Sequence, residues 1–198
     1  MISILPFNKL LTSFDTVKLN EELSLLNANS WIDHVNKGNY QGSWQVLPLR
    51  CQQQYLYQHP VLQSFAIEGN SDWVNLAYVQ SCSEIMRVLE YFQCDVKAAR
   101  LMRLKPEAYI QPHRDKGLAM EYGEARFHLP ICGTEKLVFL IDNKPVPMVA
   151  GELWYVNADM EHSVRNRGTK DRVSLVIDCL VNEWLVERIS EFDYAKIS

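Results

Sequence analysis

Several features that would point to a special class of protein are scarce in this 198-residue chain. Its five cysteines, Cys51, Cys82, Cys94, Cys132 and Cys179, are odd in number, scattered and never in a CxxC pair. That spacing excludes a disulfide framework and a thiolate zinc site, and it suits small apolar side chains in a reducing compartment. Basic residues are no more plentiful: 20 Lys and Arg face 24 Asp and Glu, a net charge of -4. The electrostatic footprint of a nucleic-acid-binding protein is therefore missing. The longest apolar stretches, Leu137 to Ile141 and Val173 to Ile177, fall far short of the roughly 20 residues of a membrane span. At the N-terminus, Pro6, Asn8 and Lys9 interrupt a short apolar opening and no basic segment precedes it, so a secretory signal is not expected. No nucleic-acid partner, no membrane and a cytoplasmic location are the resulting expectations. Repeats, low-complexity tracts and linkers are absent too.

What is present is ordinary globular material, 47 % apolar and 22 % charged, at a length that suits one domain over residues 1–198 with one sizeable core. The first part, to about residue 95, reads as helix-rich. Lys18 to Asn29 carries Leu19, Leu23 and Leu26 about one turn apart, and Ser81 with Glu84 has capping-box spacing ahead of Ile85, Leu89 and Phe92. From about 96 to 181 the pattern changes to short β-type runs: Ala98 to Leu104, Ile110 to His113, Ala125 to Ile131, Lys136 to Ile141, Glu152 to Val156 and Val173 to Leu180. Gly133-Thr134 and Asp142-Asn143-Lys144-Pro145 read as hairpin turns, Gly151 as a turn before a strand, and Glu183 to Ile189 as a closing helix. The expected fold is mainly β with flanking helices, a sandwich or jelly roll.

Chemistry concentrates in the second half. His113 and Asp115 are separated by one residue, and in extended chain such a pair shares a face and can offer an imidazole nitrogen and a carboxylate oxygen to one ion. His162 lies between two β-type runs. Two imidazoles and one carboxylate make the facial triad of non-haem iron(II) oxygenases, which leaves positions open for a co-substrate and dioxygen. Arg172, ten residues after His162, opens an apolar strand, with Ser174 on the same face. A permanent cation there requires an anion, either a dicarboxylate ligand or a salt bridge to Asp171 or Asp178. Arg126 and His128 share a strand face as candidates for further co-substrate contacts; His128 has two other readings, a fourth metal ligand or a core histidine. Trp154 is assigned to packing, and His34 and His59, without ligand partners at useful spacing, to structure. The aromatic residues Trp44, Tyr55, Tyr57 and Trp73 line either a substrate mouth or a core.

From about Ala98 to Leu185 the chain resembles the aspartyl/asparaginyl β-hydroxylase family, which includes relatives of the bacterial cis-proline hydroxylases. The resemblance rests on Pro112 to Asp115, Gly123 to Pro130, Gly151 to Asn157, His162 to Asn166 and Asp171 to Val173, in family order. It implies a double-stranded β-helix (a jelly roll, cupin-like). It further implies a dioxygenase with Fe(II) and 2-oxoglutarate, in which His113, Asp115 and His162 are the catalytic iron ligands. Arg172 then holds the distal carboxylate of 2-oxoglutarate, Arg126 and His128 add co-substrate contacts, and Ser174 can contribute its hydroxyl. The membrane-anchored animal members have glycine where this chain has Asp115, so their protein substrates are not carried over. The expected reaction is hydroxylation of an amino acid, free or within a peptide, with dioxygen. A cupin-like metal hydrolase or isomerase, and a non-catalytic binding module, are the rival readings. No feature of the sequence sets the substrate or the oligomeric state.

Overall fold

Along the strand Arg172–Leu180 every residue from Arg172 to Cys179 is buried, which requires cover on both faces. Val173, Leu175, Ile177 and Cys179 point one way, into an apolar cluster shared with helices, while Arg172, Ser174, Val176 and Asp178 alternate with them on the other face. That strand is the axis of the molecule.

The computed structural model describes residues 5–26, 29, 31–65 and 72–190. In chain order its elements are β1 (Phe7–Ser13), α1 (Thr16–Leu26), β2 (Ile32–Asp33), β3 (Tyr40–Gln41), β4 (Trp44–Gln52), α2 (Pro60–Phe65), β5 (Trp73–Asn75) and α3 (Ser83–Glu90). They continue with β6 (Val96–Leu104), β7 (Tyr109–His113), β8 (Glu124–Cys132), β9 (Leu137–Ile141), β10 (Lys144–Pro145), β11 (Glu152–Val156), β12 (His162–Asn166), β13 (Arg172–Leu180) and α4 (Glu183–Ser190). The larger sheet runs β1-β11-β8-β13-β6-β4-β2, with β5 on β4, and the smaller runs β10-β9-β12-β7-β3. All their pairings are antiparallel. The two sheets enclose Val46, Met102, Trp154 and Val176 from one side and Ile110, Phe139, Ile141 and Val164 from the other. This is the jelly roll expected from the sequence.

The outer face of the larger sheet carries the main core. Leu19, Leu23 and Leu26 of α1, Ile85, Val88 and Leu89 of α3, and Leu185 and Ile189 of α4 pack on Leu101, Phe127, Leu129, Leu175 and Ile177. Each such fully buried aliphatic side chain stabilises the fold by roughly 1.5–3 kcal/mol. The helical spacing of Leu19, Leu23 and Leu26 thus reports a real buried face; residues 27 and 28 of the expected helix lie outside the described residues. Trp154 is buried against Phe7, as a packing residue should be.

Three expectations are corrected. The first part of the chain is not a helical cap on a β-core that starts near 96, since it supplies β1 to β5 and thereby reaches both sheets. Strand β12 also stands where no β-type run is expected. The capping box at Ser81 does not form: the Glu22 carboxylate of α1 accepts from the N–H groups of Glu84 and Ile85 at 2.6 and 2.9 Å. A carboxylate from a distant helix stabilises the exposed amide dipoles of α3 in place of a local hydroxyl.

The turns follow the sequence closely. Asp142 and Asn143 both take positive φ, 49° and 60°, and join β9 to β10 as a two-residue hairpin. Gly133 at φ 73° lies so close to the start of β13 that a Cβ there would stand 2.3 Å from the Asp171 carbonyl oxygen and 2.7 Å from Arg172 Cα. Glycine is required there, and it sets where Arg172 enters the sheet. All five cysteines are free thiols.

Candidate metal and co-substrate site

Strands β7 and β12 pair so that His113 and His162 stand directly opposite each other, with ring centroids 4.2 Å apart. The chain leaves β7 after His113, and the Asp115 N–H donates to the Ala158 carbonyl at 2.9 Å, which folds the Asp115 carboxylate back towards both rings. One donor atom from each of His113, Asp115 and His162 lies within 4.8 Å of the other two. Each imidazole Nδ1 contacts a backbone carbonyl, Gln111 O at 2.8 Å and Met160 O at 3.0 Å. A carbonyl oxygen only accepts, so Nδ1 carries the proton and Nε2 keeps a free lone pair for a cation. Burial, with the neighbouring His113, lowers the pKa of His162 to about 4, which keeps that lone pair available at neutral pH.

Asp115 is positioned by a second carboxylate acting through an arginine. Arg126 on β8 donates to Asp115 Oδ2, and its Nε and Nη2 form a fork on Asp178 at 2.7 and 3.0 Å. Oδ1 of Asp115, 4.0 Å from His113 Nε2, is the oxygen left towards the imidazoles. Burial alone would raise the Asp115 pKa; Arg126, then His162, His113 and Arg100 in decreasing order of effect, together outweigh that and bring it below the ordinary value. Arg100 on β6 completes the group by donating to Asp178 Oδ2 at 2.9 Å.

Arg172 differs from these. It is 2 % exposed and has neither of the acids proposed as structural partners, because Asp171 pairs with Lys105 at 2.8 Å and Asp178 with Arg100 and Arg126. Among the described residues its nearest polar contact is His128 Nδ1, 3.5 Å from Nη2. Its Nε and the Ser174 hydroxyl are buried with no hydrogen-bond partner. Burial lowers the Arg172 pKa to about 10 and pushes His128 well below 6.5, with Arg172 and Arg126 reinforcing the effect on His128. A guanidinium and a hydroxyl left together in this way are complementary to a carboxylate. The residues therefore fit both absent groups: two free imidazole nitrogens and a carboxylate oxygen for a divalent metal, and Arg172 with Ser174 for an anion.

His113, Asp115, Arg126, His128, His162 and Arg172 line one cavity of about 350 Å³, together with His34, Trp44, Phe65, Arg100 and Met102. A model of the aspartyl/asparaginyl beta-hydroxylase family matches residues 14–181. The chain belongs to the aspartyl/asparaginyl beta-hydroxylase family. Two solved structures share the jelly roll. One, an oxidoreductase of the 2OG-Fe(II) oxygenase family from Burkholderia pseudomallei, is 14 % identical with a TM-score of 0.55, over 86 % of this chain and 84 % of that one. The other, the non-heme alpha ketoglutarate dependent epimerase SnoN from nogalamycin biosynthesis, is 13 % identical with a TM-score of 0.51, over 87 % of this chain and 76 % of that one. At such identity the likeness is one of fold.

In this beta-hydroxylase-family chain, the residues singled out from sequence converge, with additions. His128 stands apart from the three-residue cluster and against the edge of Phe139, ring centroids 5.3 Å apart. His34, read from sequence as structural, is in the cavity wall, stacked on Trp44 at 3.5 Å between centroids. His59 is structural as read, its Nδ1 accepting from Val61 N–H at the start of α2. Of the four aromatic residues considered for a substrate mouth, Trp44 alone lines the cavity. Arg100 and the part played by Asp178 were missed, although an arginine flanked by Ala98, Ala99, Leu101 and Met102 carries the same signal as Arg172. A larger groove of about 1020 Å³, bounded in part by Trp73, Glu90 and Lys97, shares no residue with the cavity. No helix among the described residues is long and apolar enough to cross a membrane.

Proposed function

We propose that this protein is an iron(II)- and 2-oxoglutarate-dependent dioxygenase that hydroxylates an amino acid, free or within a peptide. One observation carries the reading: Arg172 is a completely buried cation without a protein carboxylate among the described residues, beside an unpartnered Ser174 hydroxyl, in the same cavity as the His113, Asp115 and His162 donors. His113 Nε2, Asp115 Oδ1 and His162 Nε2 would hold the iron, and Arg172 with Ser174 the far carboxylate of 2-oxoglutarate. Bound together, iron(II), 2-oxoglutarate and dioxygen supply an oxidant strong enough for an unactivated C–H bond.

The residues of the chain do the rest. The carbonyls of Gln111 and Met160 fix the imidazole tautomers, and Arg126 fixes which oxygen Asp115 presents. His128, held neutral by burial, can share a proton with an anion placed between Arg172 and the metal ligands without adding charge. Phe139, Ile110 and Val164 keep the wall behind the ligands dry, which limits side reactions.

The test is anaerobic addition of iron(II) and 2-oxoglutarate to the purified protein. A weak visible charge-transfer band is expected, and both His113→Ala and His162→Ala should abolish it; a band unchanged in both variants would overturn the ligand assignment. Succinate release with a panel of amino acids then separates this chemistry from a zinc-type hydrolase or isomerase, which forms none.

A further inference from the structure

Arg100 is buried on the inner face of β6, 3 % exposed, and lines the cavity. One of its nitrogens, Nη2, donates to Asp178, while Nε and Nη1 are buried without a hydrogen-bond partner. Most buried side-chain donors in proteins are satisfied, and two orphan donors on one cation destabilise the fold unless something arrives to meet them.

The balance of charge points the same way. Three guanidiniums, Arg100, Arg126 and Arg172, surround the cavity, against the carboxylates of Asp115 and Asp178. A divalent metal and the 2-oxoglutarate dianion cancel each other, so one positive charge still faces the cavity. Arg172 is the cation assigned to 2-oxoglutarate; Arg100 stands on β6 opposite Val176, across β13 from the strand that carries Arg126 and His128. Trp44, Met102 and Phe65 line the same cavity and offer an apolar surface. The volume of about 350 Å³ is at the small end of ligand pockets and has to hold the co-substrate as well.

Resting on the dioxygenase reading above, we propose that Arg100 is the substrate anchor: the substrate is a small carboxylic acid whose carboxylate accepts hydrogen bonds from Arg100 Nε and Nη1, with its apolar part against Trp44, Met102 and Phe65. This selects a free acid, or a chain end carrying one, over an internal peptide segment, because an internal segment brings no carboxylate of its main chain to this depth.

The test uses the full chain loaded anaerobically with zinc(II) and 2-oxoglutarate, so that nothing turns over and Arg172 is occupied, and a matched pair of probes, isovalerate and isovaleramide, which differ in charge and not in shape. Binding is read from arginine Nε–H resonances and by calorimetry. Isovalerate is expected to bind at least about tenfold more tightly than the amide and to shift one arginine Nε–H signal that is missing in Arg100→Gln, where the preference disappears. Arg100→Lys keeps a cation beside Asp178, so it serves if the glutamine variant does not fold; with the fork gone, its preference should drop severalfold. Equal binding of the two probes, no binding of either, or a preference that survives in both variants overturns the anchor. Binding of 2-oxoglutarate is measured first: its failure overturns the dioxygenase reading and the anchor with it, whereas its success followed by equal probe affinities overturns the anchor alone.

Discussion

Asp178 and Arg172 lie near opposite ends of the inward face of β13, and both are buried charges, yet the molecule treats them in opposite ways. Around Asp178 it places Arg100 and Arg126. Burial opposes the charge of that carboxylate, and the two arginines overcome it, holding its pKa below the usual carboxylate range. Around Arg172 the described residues offer no carboxylate, and burial goes uncompensated. Taking an ion out of water costs several kcal/mol, so a fold tolerates it either where its own chain supplies the counter-charge or where a ligand does. The Asp178 end is scaffold for Asp115, one of the three candidate metal donors; the Arg172 end is complementary to an anion.

The largest effect is expected at the scaffold end. Asp178→Asn is nearly isosteric but leaves Arg100 and Arg126 buried without their carboxylate, so it should lower the unfolding free energy by about 3–5 kcal/mol in urea titrations. A loss below about 1 kcal/mol would make the two ends alike.

At the other end the sign should reverse. In the ligand-free protein Arg172→Met removes an unpaired buried charge and should leave the melting temperature unchanged or raised. Arg172→Lys keeps the charge and loses the planar fork, and with a charged hydrogen bond worth roughly 1.5–3 kcal/mol it should raise the 2-oxoglutarate requirement by about tenfold to a hundredfold. Melting and co-substrate saturation measured on the same preparations decide the matter: destabilisation with an unshifted saturation curve assigns Arg172 to structure.

The smallest effect concerns His34, a buried base near Arg100. Burial, helped by Arg100, lowers its pKa from 6.5 to about 3. The unfolded chain therefore binds a proton at His34 before the folded one does, and stability contributed by the neutral ring is complete above pH 6.5 and declines as pH falls towards 3. Denaturation of the metal-free protein should show lower stability at pH 5 than at pH 7, and His34→Gln should reduce that difference while His162 retains its share. An unreduced difference would place the titration elsewhere.

The triad was legible because its chemistry is written in short intervals. His113 and Asp115 are two residues apart, His162 and Arg172 open successive strands, and period two predicts that Arg126 with His128, and Arg172 with Ser174, share faces. The helical face of α1 and the Asp142-Asn143 turn were legible for the same reason. What escaped were several partnerships made across long stretches of chain: Glu22 capping α3, His34 entering the cavity, Arg100 joining Asp178, and the first part of the chain pairing into both sheets.

Residue types and their local period determined which groups this protein can bring to a metal and an anion, since neighbours in a strand or helix must share or alternate faces. Which of the arginines is neutralised and which stays free was decided only in three dimensions. Strand register brings Arg126 opposite Asp178 and sets Arg100 close by, whereas Asp171, next to Arg172 in sequence, pairs with Lys105 and leaves Arg172 without a carboxylate among the described residues. Charge pairing in a buried site depends on separations of a few ångströms between strands far apart in sequence, and no local pattern encodes those distances.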